Sequence, residues 1–468
     1  MTFMPTLESV TQHSVPDWFH DAKLGIFIHW GLYSVPAWAP NSGDLSQVEH
    51  NQGWQDWFKN NSYAEWYLNS LKFEDGATRI YHDKTYGPDF AYDDFIPQFN
   101  QAIQNWQPDA WASLFQKIGA RYVVLTSKHH DGFTLWPSKR PCPHKSNYQA
   151  QRDIVGDLTA AVRQQGMRMG LYYSGGLDWA FNPDRIEDNG DVRGTIVQDP
   201  AFVEYSVAHW HELIDRYQPS LMWNDIGYPS GADLGDLFAY YYNNVPGGVI
   251  NDRFAQLTEP QLRGEISPNE TPYNPHFDFL TPEYAQFDDI HPKKWEATRG
   301  IGHSFGYNRN ETDAQLLSET ELIHMFVDIV SKNGNLLLNV GPMADGTIPE
   351  NQRQRLEQFG EWLSLYGEAI FGTRPWRHAT SQTTDGLGVR FTRQGSALYA
   401  TVLGTPTSTQ VTIKGLAATT DTTITLLGHG SVLDYKQQDE GLAITLPDHL
   451  PDWPAHAFEL LGVVDDMA

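Results

Sequence analysis

Short, continuously apolar runs recur along the chain, and their spacing limits the folds that it can adopt. Each run is too short for a helix, and none shows the apolar–polar alternation of a half-exposed strand. Strands of this kind are buried on both faces, as in a parallel sheet. The runs occupy residues 24–28, 122–125, 169–173, 220–223, 248–250 and 335–340.

Amphipathic segments lie between these runs, with apolar residues spaced three and four apart. One of them places Val203, Val207, Trp210 and Ile214 on a single helix face. Alternating strands and helices predict an α/β fold. Two further strands near residues 282–287 and 294–301 would complete a (β/α)8-like barrel. An open doubly wound sheet is the alternative, but no Gly-rich phosphate loop follows the first run.

The pattern changes near residue 375. From Gly386 onward, short Thr-rich runs alternate apolar and polar side chains, and residues 393–396 have the composition of a hairpin turn. Such regular spacing predicts a small antiparallel β-sandwich. We therefore divide the chain into a barrel domain, residues 1–374, and a C-terminal β-sandwich, residues 375–468.

Composition excludes several classes of partner. The chain has 58 Asp and Glu against 32 Lys and Arg, a formal net charge of −26, which disfavours nucleic acids and anionic membranes. No apolar run approaches the roughly 18 residues of a membrane span. The N-terminal residues lack the basic and apolar regions of a secretory signal, and the single cysteine, Cys142, permits no internal disulfide. We expect a cytoplasmic protein.

Polar side chains follow five of the predicted strands, at the point where each strand ends. In a barrel these ends meet on one face, which is where active sites of this fold lie. Any one such residue could simply fix a loop, but five converging strand ends favour a site. The residues are His29, His129, His130, Asp131, Ser174, Asn224, Asp225, Asn251, Asp252 and Arg253.

The segment after the first strand is rich in aromatic residues. It could be an ordinary packed helix face or a stacking wall over the mouth of the barrel. A sugar suits such a wall, because its C–H face stacks on aromatic rings and its hydroxyls bond polar groups. The segment contains Trp54, Trp57, Phe58, Tyr63, Glu65, Trp66 and Tyr67.

Three chemistries compete for these residues. A metal could bind His29, His129, His130 and Asp225, but neighbouring residues of a regular strand point to opposite faces, and these three histidines show neither H-E-x-x-H nor H-x-H spacing. A serine hydrolase would need a G-x-S-x-G motif at a strand-to-helix turn, and residues 302–306 have that spacing but are not followed directly by a predicted helix. Glycoside hydrolysis by two carboxylates fits best, and it needs a nucleophile and a proton donor.

Several motifs resemble those of the α-L-fucosidases, glycoside hydrolase family 29, in the same order along the chain. The opening run 18–38, which contains Phe27-Ile28-His29-Trp30-Gly31, resembles the signature start of that family. The further motifs are residues 63–67, 128–133, 171–176, 223–225, 302–307 and 335–342. The resemblance extends from residue 16 to about residue 376, and the C-terminal domain matches only in type.

The resemblance implies a retaining exo-enzyme that removes terminal α-L-fucose through a covalent fucosyl-enzyme. It implies Asp225 as the nucleophile. Because fucose is a 6-deoxy sugar, its C6 methyl needs an apolar contact, for which Phe305 and Phe27 are candidates, and we expect no cofactor. A fucosylated oligosaccharide or glycoconjugate would be the substrate. The family's sugar-binding positions match His29, Glu65, Trp66, His129, His130, Tyr172, Trp223, Arg253 and Phe305.

The general acid/base is assigned from the residues that surround it in the sequence. A Thr-x-Glu-Tyr sequence, as in the bacterial branch, selects Glu283 within residues 281–284, and Glu296 is the alternative. A fucose-binding protein without catalysis and a barrel glycosidase for a related sugar such as galactose are alternative functions. The preferred linkage stays open, and a homo-oligomer is one option for the assembly.

Overall fold

The computed structural model describes residues 2–43, 53–266 and 274–465. Seven parallel strands form the first sheet, in the order β5-β4-β3-β2-β1-β7-β6. The predicted α/β barrel is therefore confirmed. The strands are β1 Leu24–Ile28, β2 Tyr122–Lys128, β3 Arg168–Ser174, β4 Leu221–Asp225, β5 Val249–Ile250, β6 Trp295–Gly300 and β7 Gly334–Val340.

The eighth position of the barrel holds two residues rather than a strand. Phe279 makes a parallel bridge to Asn251, beside β5, and Leu280 makes one to Trp295 of β6. The strand predicted near residues 294–301 is present, but the prediction of a strand near residues 282–287 is wrong. In that stretch the structure records one bridge, from Glu283 to Thr298, because the ladder is broken by Pro282 and the turn that follows.

A buried carboxylate holds this closing segment in place. Asp278 Oδ2 accepts hydrogen bonds from the Ile250 backbone N–H and the Tyr242 hydroxyl, both at 2.8 Å. Its other oxygen lies 2.8 Å from His13 Nδ1. These bonds connect the N-terminal segment to β5 and keep the barrel closed where regular pairing is shortest.

Side chains alternate between the two sides of the barrel wall. On β1, Leu24, Ile26 and Ile28 pack outward against the helices, while Phe27 packs inward. Gly25 also faces inward, and an added Cβ would clash with the Tyr122 ring. The glycine therefore makes room for a large aromatic side chain in the barrel interior.

The connections between strands contain helices of varied length. The N-terminus of the helix at Glu319–Ser331 has a capping box, with Ser318 and Glu321 bonded reciprocally. In the described residues no helix is long and apolar enough to cross a membrane. The helices are Leu7–Val10, Asp17–Ala22, Trp54–Lys59, Tyr67–Ser70, Ala77–Thr85, Ile96–Ala102, Pro108–Lys117, Ile154–Gln164, Asn189–Gly194, Pro200–Tyr217, Leu234–Asn244, Glu259–Leu262, Glu319–Ser331 and Glu350–Tyr366.

Two antiparallel sheets follow the barrel, as expected for a β-sandwich. Their orders are β12-β15-β10-β9-β8 and β11-β14-β13, with a shared apolar core. The sandwich packs on the barrel helices, where Trp362 Nε1 donates to the Ala455 carbonyl at 3.0 Å. Its strands are β8 Arg374–Gln382, β9 Gly388–Gln394, β10 Ala397–Leu403, β11 Gln410–Lys414, β12 Leu416–Leu426, β13 Tyr435–Gln438, β14 Gly441–Thr445 and β15 Ala455–Asp465.

Candidate active site

A cavity of about 210 Å³ opens at the carboxyl ends of the barrel strands. It is the size of a single sugar unit rather than of an extended chain. All eleven residues that the family resemblance implies for the site line it: His29, Glu65, Trp66, His129, His130, Tyr172, Trp223, Asp225, Arg253, Glu283 and Phe305. The other strand-end residues considered from the sequence do not line it: Asp131, Ser174, Asn224, Asn251 and Asp252. The structure thus brings together residues from the ends of five strands and from three connecting segments.

Asp225 is the last residue of β4 and is almost fully buried. Its Oδ1 accepts from Arg253 Nη1 at 2.8 Å, and its Oδ2 accepts from the Tyr172 hydroxyl at 2.8 Å. Burial alone would raise the pKa of this carboxyl, but Arg253 and then His130 and Tyr172 offset it, so the pKa lies below its usual range. Asp225 is therefore held as a carboxylate.

The backbone beside Asp225 is unusual. Ile226 has a φ of 52°, a left-handed conformation that is rare for a β-branched residue. The Ser174-Gly175-Gly176 loop after β3 lies directly against it, and a Cβ on Gly176 would clash with the Ile226 carbonyl oxygen. Glycine in this motif thus permits two strand-end loops to touch beneath the carboxylate.

Glu283 is the second carboxylate in the cavity. Its Oε2 accepts from Arg253 Nη1 and Nη2 at 3.2 and 3.1 Å, and its Oε1 accepts from the Tyr63 hydroxyl at 3.2 Å. Burial raises the pKa of Glu283 above its usual range, and the negative charge of Asp225 adds to the rise against the effect of Arg253. The two carboxyls therefore have pKa values displaced in opposite directions.

Arg253 joins the two carboxylates. Its guanidinium stacks over the Trp223 ring at 4.6 Å and is anchored by Thr281, whose hydroxyl accepts from Arg253 Nε at 2.9 Å. The same Thr281 hydroxyl donates to Asp252 at 2.6 Å. The threonine of the Thr-x-Glu-Tyr motif thus fixes the arginine, and the glutamate of that motif receives two of the arginine's hydrogen bonds.

His129 and His130 both line the cavity, with ring centroids 4.0 Å apart. The expectation that they point to opposite faces is wrong, because β2 ends at Lys128 and its pairing with β3 is already irregular at that point. Beyond the strand the alternation no longer applies. Lys128 instead turns away from the cavity and forms a buried ion pair with Asp178 at 2.7 Å.

Glu65 is a third carboxyl at the cavity wall and is buried. Its Oε2 accepts from the Gly306 backbone N–H at 2.7 Å and from the Ser304 hydroxyl at 3.3 Å. Burial raises the pKa of Glu65 to about 8, despite the opposing effect of the Gly306 hydrogen bond. When it is protonated, such a carboxyl can donate a hydrogen bond to a ligand hydroxyl as well as accept one from it.

An apolar corner completes the cavity. Phe27 and Phe305 lie in an edge-to-face arrangement with centroids 6.5 Å apart, and Phe305 also packs against Tyr63 at 5.4 Å. Both phenylalanines are at least 95% buried. This corner can receive a methyl group but offers no hydrogen bond to a hydroxyl.

Glu296, the alternative acid/base, does not line the cavity. It is fully buried in the barrel interior, where it accepts from Trp223 Nε1 at 3.1 Å and from the Tyr122 hydroxyl. Burial raises its pKa to about 7. Its position below Trp223 supports that tryptophan and separates Glu296 from a cavity ligand.

The cavity wall includes residues that the sequence analysis did not select. Ile226 could have been chosen, because it directly follows Asp225. No pattern in the sequence marked Asn189 and Val192, which lie on the short helix Asn189–Gly194 after β3, or Thr298 of β6. Asn189 and Val192 come from a long connection whose course depends on tertiary packing.

A barrel with two carboxylates in an aromatic cavity at its strand ends defines a glycoside hydrolase. Residues 1–368 match the family model described as Alpha-L-fucosidase, and residues 382–460 match the Alpha-L-fucosidase C-terminal domain. The chain therefore belongs to the α-L-fucosidase family, and its activity is that of an α-L-fucosidase. The resemblance noted from the motifs is confirmed.

Individual relatives agree over nearly the whole length. The chain is 34% identical to a tissue alpha-L-fucosidase of Rattus norvegicus over 460 residues, which are 96% of this chain and 89% of that protein. Identity to the alpha-fucosidase of Thermotoga maritima, solved in complex with fucose, is 42%, with a TM-score of 0.85 and coverage of 98% of this chain and 100% of that one. A Thermotoga maritima structure described as an alpha-L-fucosynthase, with an Asp-to-Gly substitution, has a TM-score of 0.87 at the same identity and coverage.

Proposed function

We propose that the chain is a retaining exo-α-L-fucosidase in which Asp225 is the nucleophile and Glu283 the general acid/base. The observation that carries this proposal is the shared arginine. Because Asp225 Oδ1 and Glu283 Oε2 lie 2.8 and 3.2 Å from the same Arg253 Nη1, these two oxygens are at most about 6 Å apart. Inverting enzymes need roughly 6.5–9.5 Å, to leave room for water, whereas retaining enzymes need about 5–5.5 Å.

The opposed pKa displacements support the two roles. A nucleophile must be ionised at the working pH, and the Arg253 ion pair keeps the pKa of Asp225 low. A general acid must hold its proton until the leaving oxygen needs it, and burial beside Asp225 raises the pKa of Glu283. The fucosynthase with an Asp-to-Gly substitution among the Thermotoga maritima structures is consistent with an aspartate nucleophile.

The reaction then has two displacements. In the first, Asp225 attacks the anomeric carbon as the C–O bond to the leaving group breaks, and Glu283 gives its proton to the departing oxygen. In the second, Glu283 takes a proton from water as that water attacks the same carbon and releases Asp225. Two inversions give fucose with retained configuration.

The cavity dimensions support exo action and fucose as the bound unit. A cavity of about 210 Å³ at the strand ends favours one bound sugar unit, with the leaving group outside it. The Phe27 and Phe305 corner suits the C6 methyl of a 6-deoxy sugar, while the histidines, Glu65 and Trp66 face ring hydroxyls. A fucosylated glycan is the substrate class that this arrangement favours.

The test is the configuration of the fucose released first from an aryl α-L-fucoside, followed by proton NMR before mutarotation. We expect α-L-fucose first. Release of β-L-fucose first would overturn the retaining mechanism. Glu296→Gln is the comparison for Glu283→Gln, because both residues are carboxyls on adjacent segments but only Glu283 lines the cavity. Glu283→Gln should slow the hydrolysis of substrates with poor leaving groups most. Glu296→Gln should change the rate by the same factor for every leaving group.

A further inference from the structure

Two of the cavity histidines are held by hydrogen-bond chains that start outside the cavity. His29 Nδ1 lies 2.7 Å from Asn339 Oδ1, and Asn339 Nδ2 donates to the Phe305 carbonyl at 2.7 Å. An amide nitrogen can only donate and a carbonyl oxygen can only accept, so this second bond fixes which way the Asn339 amide faces. Asn339 therefore presents an acceptor to His29, and His29 Nδ1 must carry the proton.

His130 is held in the same way through a serine. The Ser174 hydroxyl donates its only proton to the Leu177 carbonyl at 2.6 Å, and Ser174 Oγ lies 2.6 Å from His130 Nδ1. With its proton used, the hydroxyl can only accept from the histidine. His130 Nδ1 must therefore carry the proton as well.

A neutral imidazole has a single N–H, so protonation at Nδ1 leaves Nε2 as a lone-pair acceptor. Burial lowers the pKa of His29 to about 3 and that of His130 to about 4, which keeps both rings neutral above pH 5. His130 Nε2 lies 3.8 Å from Asp225 Oδ2, too far for the hydrogen bond that a proton on Nε2 would favour.

Resting on the proposed function, we infer that Asn339 and Ser174 are positioning residues that fix His29 and His130 as Nδ1–H tautomers. Both rings then offer Nε2 as an acceptor, and the sugar hydroxyls above them must donate. A sugar hydroxyl that donates to an imidazole keeps its own oxygen free to accept, for example from Trp66 or from protonated Glu65. The cavity thereby requires a sugar hydroxyl that donates a hydrogen bond at two positions, one at each Nε2.

The test uses protein labelled with ¹⁵N at histidine, because the two ring nitrogens of a neutral imidazole have well-separated shifts that report the tautomer. The resonances are assigned by their loss in His29→Gln and His130→Gln. In the wild-type enzyme we expect Nδ1–H for both rings. An Nε2–H tautomer or an imidazolium at neutral pH, for either ring, would overturn the inference.

Variants then separate positioning from general stability. Asn339→Leu should alter the tautomer signature of His29 alone and lower kcat/KM on the order of tenfold, the cost of one misplaced hydrogen bond. Asn335→Leu is the matched control, because Asn335 is also a buried asparagine of β7 whose Nδ2 donates to a backbone carbonyl, that of Phe19 at 2.9 Å. Asn335→Leu should leave the tautomer signature of His29 unchanged, even where it lowers the stability of the fold.

Ser174→Ala should alter the signature of His130 and leave that of His29 unchanged. If either positioning variant leaves its own histidine as the Nδ1–H tautomer with wild-type kcat/KM, the chain of bonds does not set the tautomer. These outcomes are independent of the proposed mechanism, because the spectra need no turnover. A wild-type enzyme with the predicted tautomers but β-L-fucose as the first product would contradict the mechanism alone.

Discussion

Arg253→Met removes the guanidinium that contacts both Asp225 and Glu283 while leaving an unbranched side chain over Trp223. Arg253 Nη1 is 2.8 Å from Asp225, and a charge separation of about 4 Å at an effective dielectric constant of about 20 corresponds to about 4 kcal/mol. This is about 3 pKa units, and opposite charges this close shift carboxyl pKa values by about 1–3 units. Both carboxyl pKa values should rise, because Arg253 lowers both.

The assay is kcat/KM for an aryl α-L-fucoside against pH. In the wild-type enzyme the acid limb reports ionisation of Asp225, so activity falls as the pH drops through that low pKa. In Arg253→Met the acid limb should move about 1–3 units toward alkaline pH. At the optimum, loss of charged hydrogen bonds worth roughly 2–3 kcal/mol should lower kcat/KM about 30- to 150-fold.

Arg152→Met is the control for this experiment. Arg152 also stacks on a tryptophan ring, that of Trp106 at 5.0 Å, and pairs with an aspartate, Asp157 at 2.6 Å, but it lies outside the cavity. It should keep the wild-type pH profile. An acid limb that stays in place in a folded Arg253→Met enzyme would refute the conclusion that Arg253 keeps Asp225 ionised.

Two further predictions concern the surroundings of Asp225. Tyr172→Phe removes the hydroxyl that donates to Asp225 and should lower kcat/KM about tenfold, with the acid limb displaced toward alkaline pH; an unchanged profile would contradict it. Gly176→Ala should destabilise the fold by about 1–3 kcal/mol in denaturant unfolding, because its Cβ meets the Ile226 backbone. Gly194→Ala should leave the stability unchanged, because its Cβ meets nothing within 4 Å. Equal destabilisation by the two variants would count against the steric explanation.

The sequence was most informative where chemistry and local pattern coincide. Asp225 and His29 follow runs of apolar residues, so their position at strand ends could be predicted from periodicity alone. Glu283 needed the family motif, because the segment around it forms no regular strand. The distance between Glu283 and Asp225 depends on their shared contact with Arg253, and no sequence pattern predicts that contact.

The rest of the site depends on long-range packing. Tyr63 reaches Glu283 across 220 residues of sequence, and Asn339 reaches His29 across 310. The short helix with Asn189 and Val192 comes to the cavity because of how its connection packs, without a signature of its own. Likewise, barrel closure by Phe279 and Leu280 needs the Asp278 hydrogen bonds rather than a strand-like sequence.

The stereochemistry of azide rescue tests the assignment of Asp225 and Glu283 most directly. Asp225→Gly should react with azide from the face that the nucleophile occupied and give β-L-fucosyl azide from an α-L-fucoside. Glu283→Gly should still form the fucosyl-enzyme from an aryl fucoside, and azide should then give α-L-fucosyl azide. The opposite pair of products, or α-L-fucosyl azide from Glu296→Gly instead, would contradict the account.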